Sequence, residues 1–298
     1  MNAPACIAVI AAALAAGTGT ARADDGLEHC TGFVTFLPYV ISTDGGVWCM
    51  DTDLTLYNEG QSGVTIDARN AVLDCKGHTL RDESIRIGSG IRTGSTNHRV
   101  TIRNCRLEGF GTGISVRSDA LNHTPAVAII EDNVLVDSRN FGIRAVAIRH
   151  AQIRRNTVIG VGSRPFDGHP TGILVQVDGD AVVHGNVVTD VNGGGTDRGW
   201  IHGRGINVAA VGRSSVVGNI VSDVVPGTGG TAYGLLFPPG SRATVRGNQI
   251  TGDGRASTRG IACADSSGVI LVGNMVNGVG RPADKCPGDA GGRYFLPL

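Results

Sequence analysis

One interval constrains this chain more than any other. A Gly followed by Ile or Leu stands 14 residues before an Asn five times over: Gly142 to Asn156, Gly172 to Asn186, Gly205 to Asn219, Gly234 to Asn248 and Gly260 to Asn274. Earlier copies begin at Gly90-Ile91 and Gly113-Ile114, and Asn133 fits the second of these with six residues inserted. Each Asn lies three residues past an aliphatic one, as in "IRRN", "VHGN" and "VRGN". Counting three on from Val72 and Ile102 puts Cys75 and Cys105 in the same column, which then has eight positions.

Self-similarity at a fixed spacing decides architecture before local propensity does. Within each copy the apolar residues alternate, as in "GILVQV" and "GINVAAV". A period of two means strands. A short-stranded unit of this length cannot bury its inward face alone, so successive copies must stack at the interstrand spacing of about 4.8 Å. The expectation is an all-β coil of parallel strands with about eight turns and an Asn/Cys ladder. Leucine-rich repeats share the repeat length but require an L-x-x-L-x-L pattern, which is absent.

The Asn column reads as structure: an inward amide at a tight turn can bond both its own backbone and the next Asn. Four residues beyond the ladder stand Gly109, Asp137, Gly160, Asp190, Asp223, Gly252 and Gly278. Gly and Asp are turn formers. That takes Asp137, Asp190 and Asp223 out of consideration as catalytic acids.

The stretch "VLDCKGHTL…GIRTGSTNHRVTIRNCRLEGFGTGISV" and the copies after it resemble the right-handed parallel β-helix proteins of the pectin-lyase-like group, and in particular the periplasmic NosD-type repeats. The resemblance spans about residues 64–280 and implies a right-handed β-helix solenoid. It leaves residues 24–63 as an N-terminal cap segment and 281–298 as a C-terminal cap or tail. In that group the outer strand face commonly holds an extended, often acidic polysaccharide. Fold alone does not fix function, so the side chains must be weighed separately.

Residues 1–23 read as a signal peptide: an apolar run ends at Ala21-Arg22-Ala23, an A-x-A pattern. Export implies a secreted or periplasmic protein. Six cysteines remain after it, none in C-x-x-C spacing, so disulfides are expected rather than a zinc or redox site. Cys75 and Cys105 occupy the ladder on consecutive turns and should pair. Cys30 with Cys49 would close the N-terminal segment, and Cys263 with Cys286 would pin the tail. Charge is balanced, 26 basic against 26 acidic, with no general pull toward nucleic acid or membrane. No other stretch is long and apolar enough to span a bilayer.

The segment between a ladder residue and the next Gly is longest after Asn156 and Asn186, at 16 and 19 residues. Loops that lengthen on one side of a regular coil make walls, and function gathers on such loops. Three residues before the repeat Gly stand Arg139, His169 and His202 on successive turns; five before, Asp167 and Trp200; one before, Arg204 and Tyr233. Two after the Gly, the outward row includes Arg92, Arg144 and Asn207. Arg forks suit carboxylates. Trp200, Phe166 and Tyr233 could pack against sugar rings.

Elimination on a uronate needs a cation for the carboxylate, a base for the C5 proton and an acid for the leaving oxygen. Arg144 or Arg204 is the candidate cation, His169 or His202 the base and Tyr233 the acid. C5 epimerisation uses similar parts. Arg92, Arg139, Asp167, Trp200 and Asn207 are candidate substrate contacts. As loop residues outside the core, the histidines are expected to add little stability. Hydrolysis needs two positioned carboxyls, and only Asp167, Asp178 and Asp197 are left near the site. The group's N-T-D and G-H-G hydrolase hallmarks are missing, the one D-D pair, Asp24-Asp25, lies before the repeats, and a cluster of calcium-binding aspartates is missing too. No cofactor is predicted. A divalent cation lacks a ligand set, because His169 and His202 have no third partner beyond Asp167 or Asp197. The alternatives to a uronate lyase or epimerase are a non-catalytic polysaccharide-binding or surface module and, against the low methionine count, a NosD-like accessory protein.

Overall fold

The computed structural model describes residues 29–84, 87–94, 99–118, 127–162, 168–193 and 201–287. The expected leader and the loop residues Phe166, Asp167, Asp197 and Trp200 lie outside the described residues. All strand pairs are parallel, in three sheets of ten strands each among the described residues. The chain visits them in a fixed order. One turn runs from sheet A (for example His150–Arg154) to sheet C (Thr157–Val161) to sheet B (Thr171–Val177), then returns to sheet A one rung further on (Ala181–His184). No helix among the described residues is long and apolar enough to cross a membrane.

Register is kept from turn to turn, with one bulge at Ala147 in sheet B. In sheet B the residues after the repeat Gly stack as Ile91, Ile114, Ile143, Ile173, Ile206, Leu235 and Ile261, and every one is fully or almost fully buried. These aliphatic rows, with those of sheets A and C, make one continuous core. The Gly itself is set by a close approach. A Cβ on Gly142, Gly172 or Gly205 would lie 2.6–2.7 Å from the carbonyl oxygen of the next Gly in the column and would press on Val158, Val188 or Val221.

The ladder sits at the corner between sheets A and C. Asn133, Asn156, Asn186, Asn219, Asn248 and Asn274 are buried, and each of the first five donates Nδ2–H to Oδ1 of the next at 2.8–3.0 Å. The same Oδ1 accepts the backbone N–H of the preceding Asn, and Nδ2 also reaches a strand carbonyl, as from Asn186 to Ile153. Two further positions are taken by Cys75 and Cys105, joined as a disulfide with Cα atoms 4.7 Å apart. Asn133 Oδ1 caps that end by accepting the Cys105 N–H. Four residues on, Gly109, Asp137, Gly160, Asp190, Asp223 and Gly278 all have positive φ, so the aspartates there are turn residues in the left-handed region. Cys30–Cys49 and Cys263–Cys286 are the other two disulfides, as the cysteine positions imply.

The sheets extend past the expected cap boundaries. Gly32–Phe33 and Val47–Cys49 join sheet A, Tyr39–Ile41 joins sheet B and Leu54–Leu56 joins sheet C, all before residue 64. Arg281–Asp284 adds a last strand to sheet B beyond residue 280. These strands are short and lack the Gly-to-Asn interval.

Removing one rung should cost the coil without emptying its outer face. Asn219→Ala leaves the Asn186 backbone and side-chain N–H groups without their acceptor. A loss of about 1–3 kcal/mol in urea unfolding is expected, with ligand binding retained by the folded fraction. Unchanged unfolding would remove the ladder from the list of stabilising elements.

Candidate functional site

The outward face of sheet B gathers most of the candidate residues. In one row Thr112, Phe141, Thr171, Arg204, Tyr233 and Arg259 stack in register; in a second, Arg92, Ser115, Arg144, Leu174, Asn207, Leu236 and Ala262. Arg204 and Tyr233 are direct neighbours on adjacent turns. The Arg144 guanidinium lies 5.6 Å from the centre of the Phe141 ring, which shows that the two rows share one face. Arg92 is two rungs before Arg144, and its Nε donates to Thr65 Oγ1 at 3.1 Å. Arg139 lies one turn before His169, on the segment that leads into Phe141–Ile148.

His169 and His202 come together on this side of the coil. Their ring centres are 4.8 Å apart, and the His202 ring meets Tyr233 edge-on at 5.7 Å. The rings are held by a device like the Asn ladder. His169 Nδ1 accepts the backbone N–H of His202 at 3.0 Å, and His202 Nδ1 accepts that of Thr231 at 3.0 Å. A ring nitrogen that accepts from an amide carries no proton, so each neutral ring bears its hydrogen on Nε2.

That tautomer changes the chemistry expected of the pair. A general base needs a free lone pair, and here the Nδ1 lone pair is committed to the backbone while Nε2 is a donor. Both rings therefore present N–H donors, which suits oxygen acceptors on a ligand better than proton abstraction. The backbone bonds also correct the expectation that these histidines add little stability.

Two cations of the face, Arg144 and Arg204, differ from Arg259, which pairs with Asp284 at 3.4 Å. Among the described residues neither Arg144 nor Arg204 forms an ion pair, and the Nε of each is buried without a hydrogen-bond partner. Burial, then the neighbouring Arg117, lowers the Arg144 pKa from its ordinary value; burial also lowers that of Arg204, against an opposing pull from Tyr233. Both are thus partly desolvated charges without a counter-ion among the described residues. Arg117 was not among the candidates, although it stands four residues after Gly113, where alternation points it to the same face as Ser115. On the other side, Leu174 and Asn207 are only 8% and 3% exposed despite their outward row. The floor of the face is therefore packed.

The outer architecture has known counterparts. A family model described as a right handed beta helix region matches residues 89–276. The chain belongs to this right-handed β-helix family. Among solved structures, tailspike protein 3 of bacteriophage CBA120 is similar, with a TM-score of 0.51 at 13% identity over 86% of this chain and 51% of that one. This chain thus spans about half the length of the tailspike. The A-module of the Azotobacter vinelandii mannuronan C-5 epimerase AlgE4 matches with a TM-score of 0.37 at 14% identity, over 86% of this chain and 84% of that one. No curated protein matches the chain.

The two histidines give the site a pH dependence. Burial first, then the Arg204 charge, lowers both pKa values from the ordinary 6.5. At high pH the rings are neutral in the folded and unfolded chain alike. As pH falls below about 6.5 the unfolded chain takes up protons first, so stability declines until the folded pKa is passed. The expected result is a melting temperature that drops on acidification, with a shallower drop in His202→Asn. The Asn Oδ1 takes the place of Nδ1 and can still accept the Thr231 N–H. His202→Ala leaves that N–H without its acceptor and should cost about 1 kcal/mol at neutral pH. Thermal melts from pH 5 to 8 on the three proteins check both points.

Proposed function

We propose that this is an exported β-helix protein that engages an acidic polysaccharide along the outer face of sheet B. The reading is carried by Arg144 and Arg204, two half-buried cations on one face that have no counter-ion among the described residues. A desolvated charge costs stability unless it is paired. A ligand carboxylate would supply the partner, and arginine forks match carboxylates in geometry. The strands repeat at about 4.8 Å, close to the length of one sugar unit, so an extended polymer can meet equivalent positions on successive turns. His169 and His202 would add Nε2–H donors to ring or hydroxyl oxygens, and Tyr233 an aromatic edge and a hydroxyl. Arg92, Arg139, Asp167 and Trp200 are proposed as flanking contacts. The three disulfides favour an oxidising compartment, secreted or periplasmic.

A catalytic reading has one observation in its favour. Tyr233 stands directly beside Arg204 and edge-on to His202, so a phenol, a cation and an N–H donor converge where a uronate C5 would pass. In a lyase or C5-epimerase, Arg204 or Arg144 would draw charge from the carboxylate and Tyr233 would move the proton. The histidines would orient the ring rather than act as bases.

The test is a panel of uronate polymers, scored for binding by calorimetry, for unsaturated product by ultraviolet absorbance and for epimer content by NMR. Arg144→Ala should weaken binding of the preferred polymer by about 1.5–3 kcal/mol, the scale of a charged hydrogen bond, and should reduce its salt dependence. Binding without product formation fits the non-catalytic module. Product that survives in His202→Asn but vanishes in Tyr233→Phe fits the enzyme. No binding to any polyanion, or binding indifferent to Arg144 and Arg204, contradicts the proposal.

A further inference from the structure

Asn207 is the wrong residue for its surroundings on packing grounds alone. Its row neighbours in sheet B are Leu174 on one turn and Leu236 on the next. It is 3% exposed, and its Oδ1 is buried without a hydrogen-bond donor. A buried acceptor left unpaired costs stability, and an aliphatic side chain of the same volume would not. Leucine at 207 would complete a Leu-Leu-Leu row with well-matched neighbours. The chain instead keeps an amide there, three residues after the unpaired Arg204 and two rungs beyond the unpaired Arg144.

The orphaned atoms differ in kind. The Nε atoms of Arg144 and Arg204 are donors that lack acceptors, and Asn207 Oδ1 is an acceptor that lacks a donor. A bare polyanion could satisfy the first two and would leave the third empty. A ligand unit with a hydroxyl close to its carboxylate would satisfy all three. We infer that Asn207 is a specificity residue, whose carbonyl accepts a ligand hydroxyl and so selects hydroxylated polyanions, the uronates, over polyanions without a hydroxyl beside the charge. This inference rests on the acidic-polysaccharide reading above. It adds the discrimination that arginines alone do not provide, because a site built to accept a hydroxyl rejects a ligand that lacks one.

The experiment compares wild-type protein with Asn207→Leu and Asn207→Ala on two probes, polygalacturonate and poly-glutamate. Ala262 occupies the same row, so the smaller side chain is compatible with the fold if leucine is not. Asn207→Leu should melt roughly 2 °C or more above wild type, because the unpaired amide is gone. Both variants should bind polygalacturonate roughly five- to tenfold more weakly and poly-glutamate as wild type does. A lower melting temperature in Asn207→Leu would show that the amide has a structural partner and would overturn the inference. So would unchanged polygalacturonate affinity, or an equal loss on both probes. If wild type binds polygalacturonate and Arg144→Ala weakens it while the Asn207 variants do not, the specificity role alone falls. If wild type binds neither polymer, the underlying reading falls and this inference with it.

Discussion

A parallel coil must turn three corners per rung, and every corner leaves backbone amides with no strand partner. At the corner between sheets A and C the problem is met by an inward asparagine whose Oδ1 accepts both the N–H and the Nδ2–H of the preceding Asn. Each rung thus depends on the next for the satisfaction of its own buried groups. Vertical register from turn to turn follows from this. It is what brings side chains far apart in sequence onto one face at the spacing of the strands.

A related device, with the acceptor on the preceding turn instead of the next, recurs on the way into sheet B with histidine in place of asparagine. His169 takes the His202 amide and His202 takes the Thr231 amide. A histidine used in this way is structural on its Nδ1 side and chemical on its Nε2 side. The ring is oriented, its tautomer is set, and a donor is presented outward beside Arg204. In the proposed site, single residues would therefore serve both the fold and the ligand. Arg144 and Arg204 differ: neither has a counter-ion among the described residues, and partial burial of a charge without one costs stability.

Most of the fold was legible because it repeats. The Gly-to-Asn interval located the ladder, placed Cys75 and Cys105 in it, and identified Asp137, Asp190 and Asp223 as turn residues, which the left-handed backbone angles confirm. The short strands before residue 64, such as "YVI" and "VWC", were not legible as coil because they lack that interval. In the candidate site, the columns correctly brought His169, His202, Arg204 and Tyr233 together. The protonation of the histidines was not readable, since it depends on which backbone N–H faces each Nδ1. Nor was the burial of Leu174 and Asn207, because alternation gives a side chain's direction and not what packs around it. Arg117 stands four residues after Gly113, beyond the two positions that the repeat marks, and shares the face of Ser115.

The most direct measurement of the central claim is a crystal structure of the protein with a bound uronate oligosaccharide. The sugar is expected to lie along the outer face of sheet B, crossing the strands, with carboxylates against Arg144 and Arg204 and oxygens within hydrogen-bond reach of the His169 and His202 Nε2 atoms. An oligosaccharide held on sheet A or sheet C, with the Arg144 and Arg204 guanidinium groups still unpaired, would contradict it.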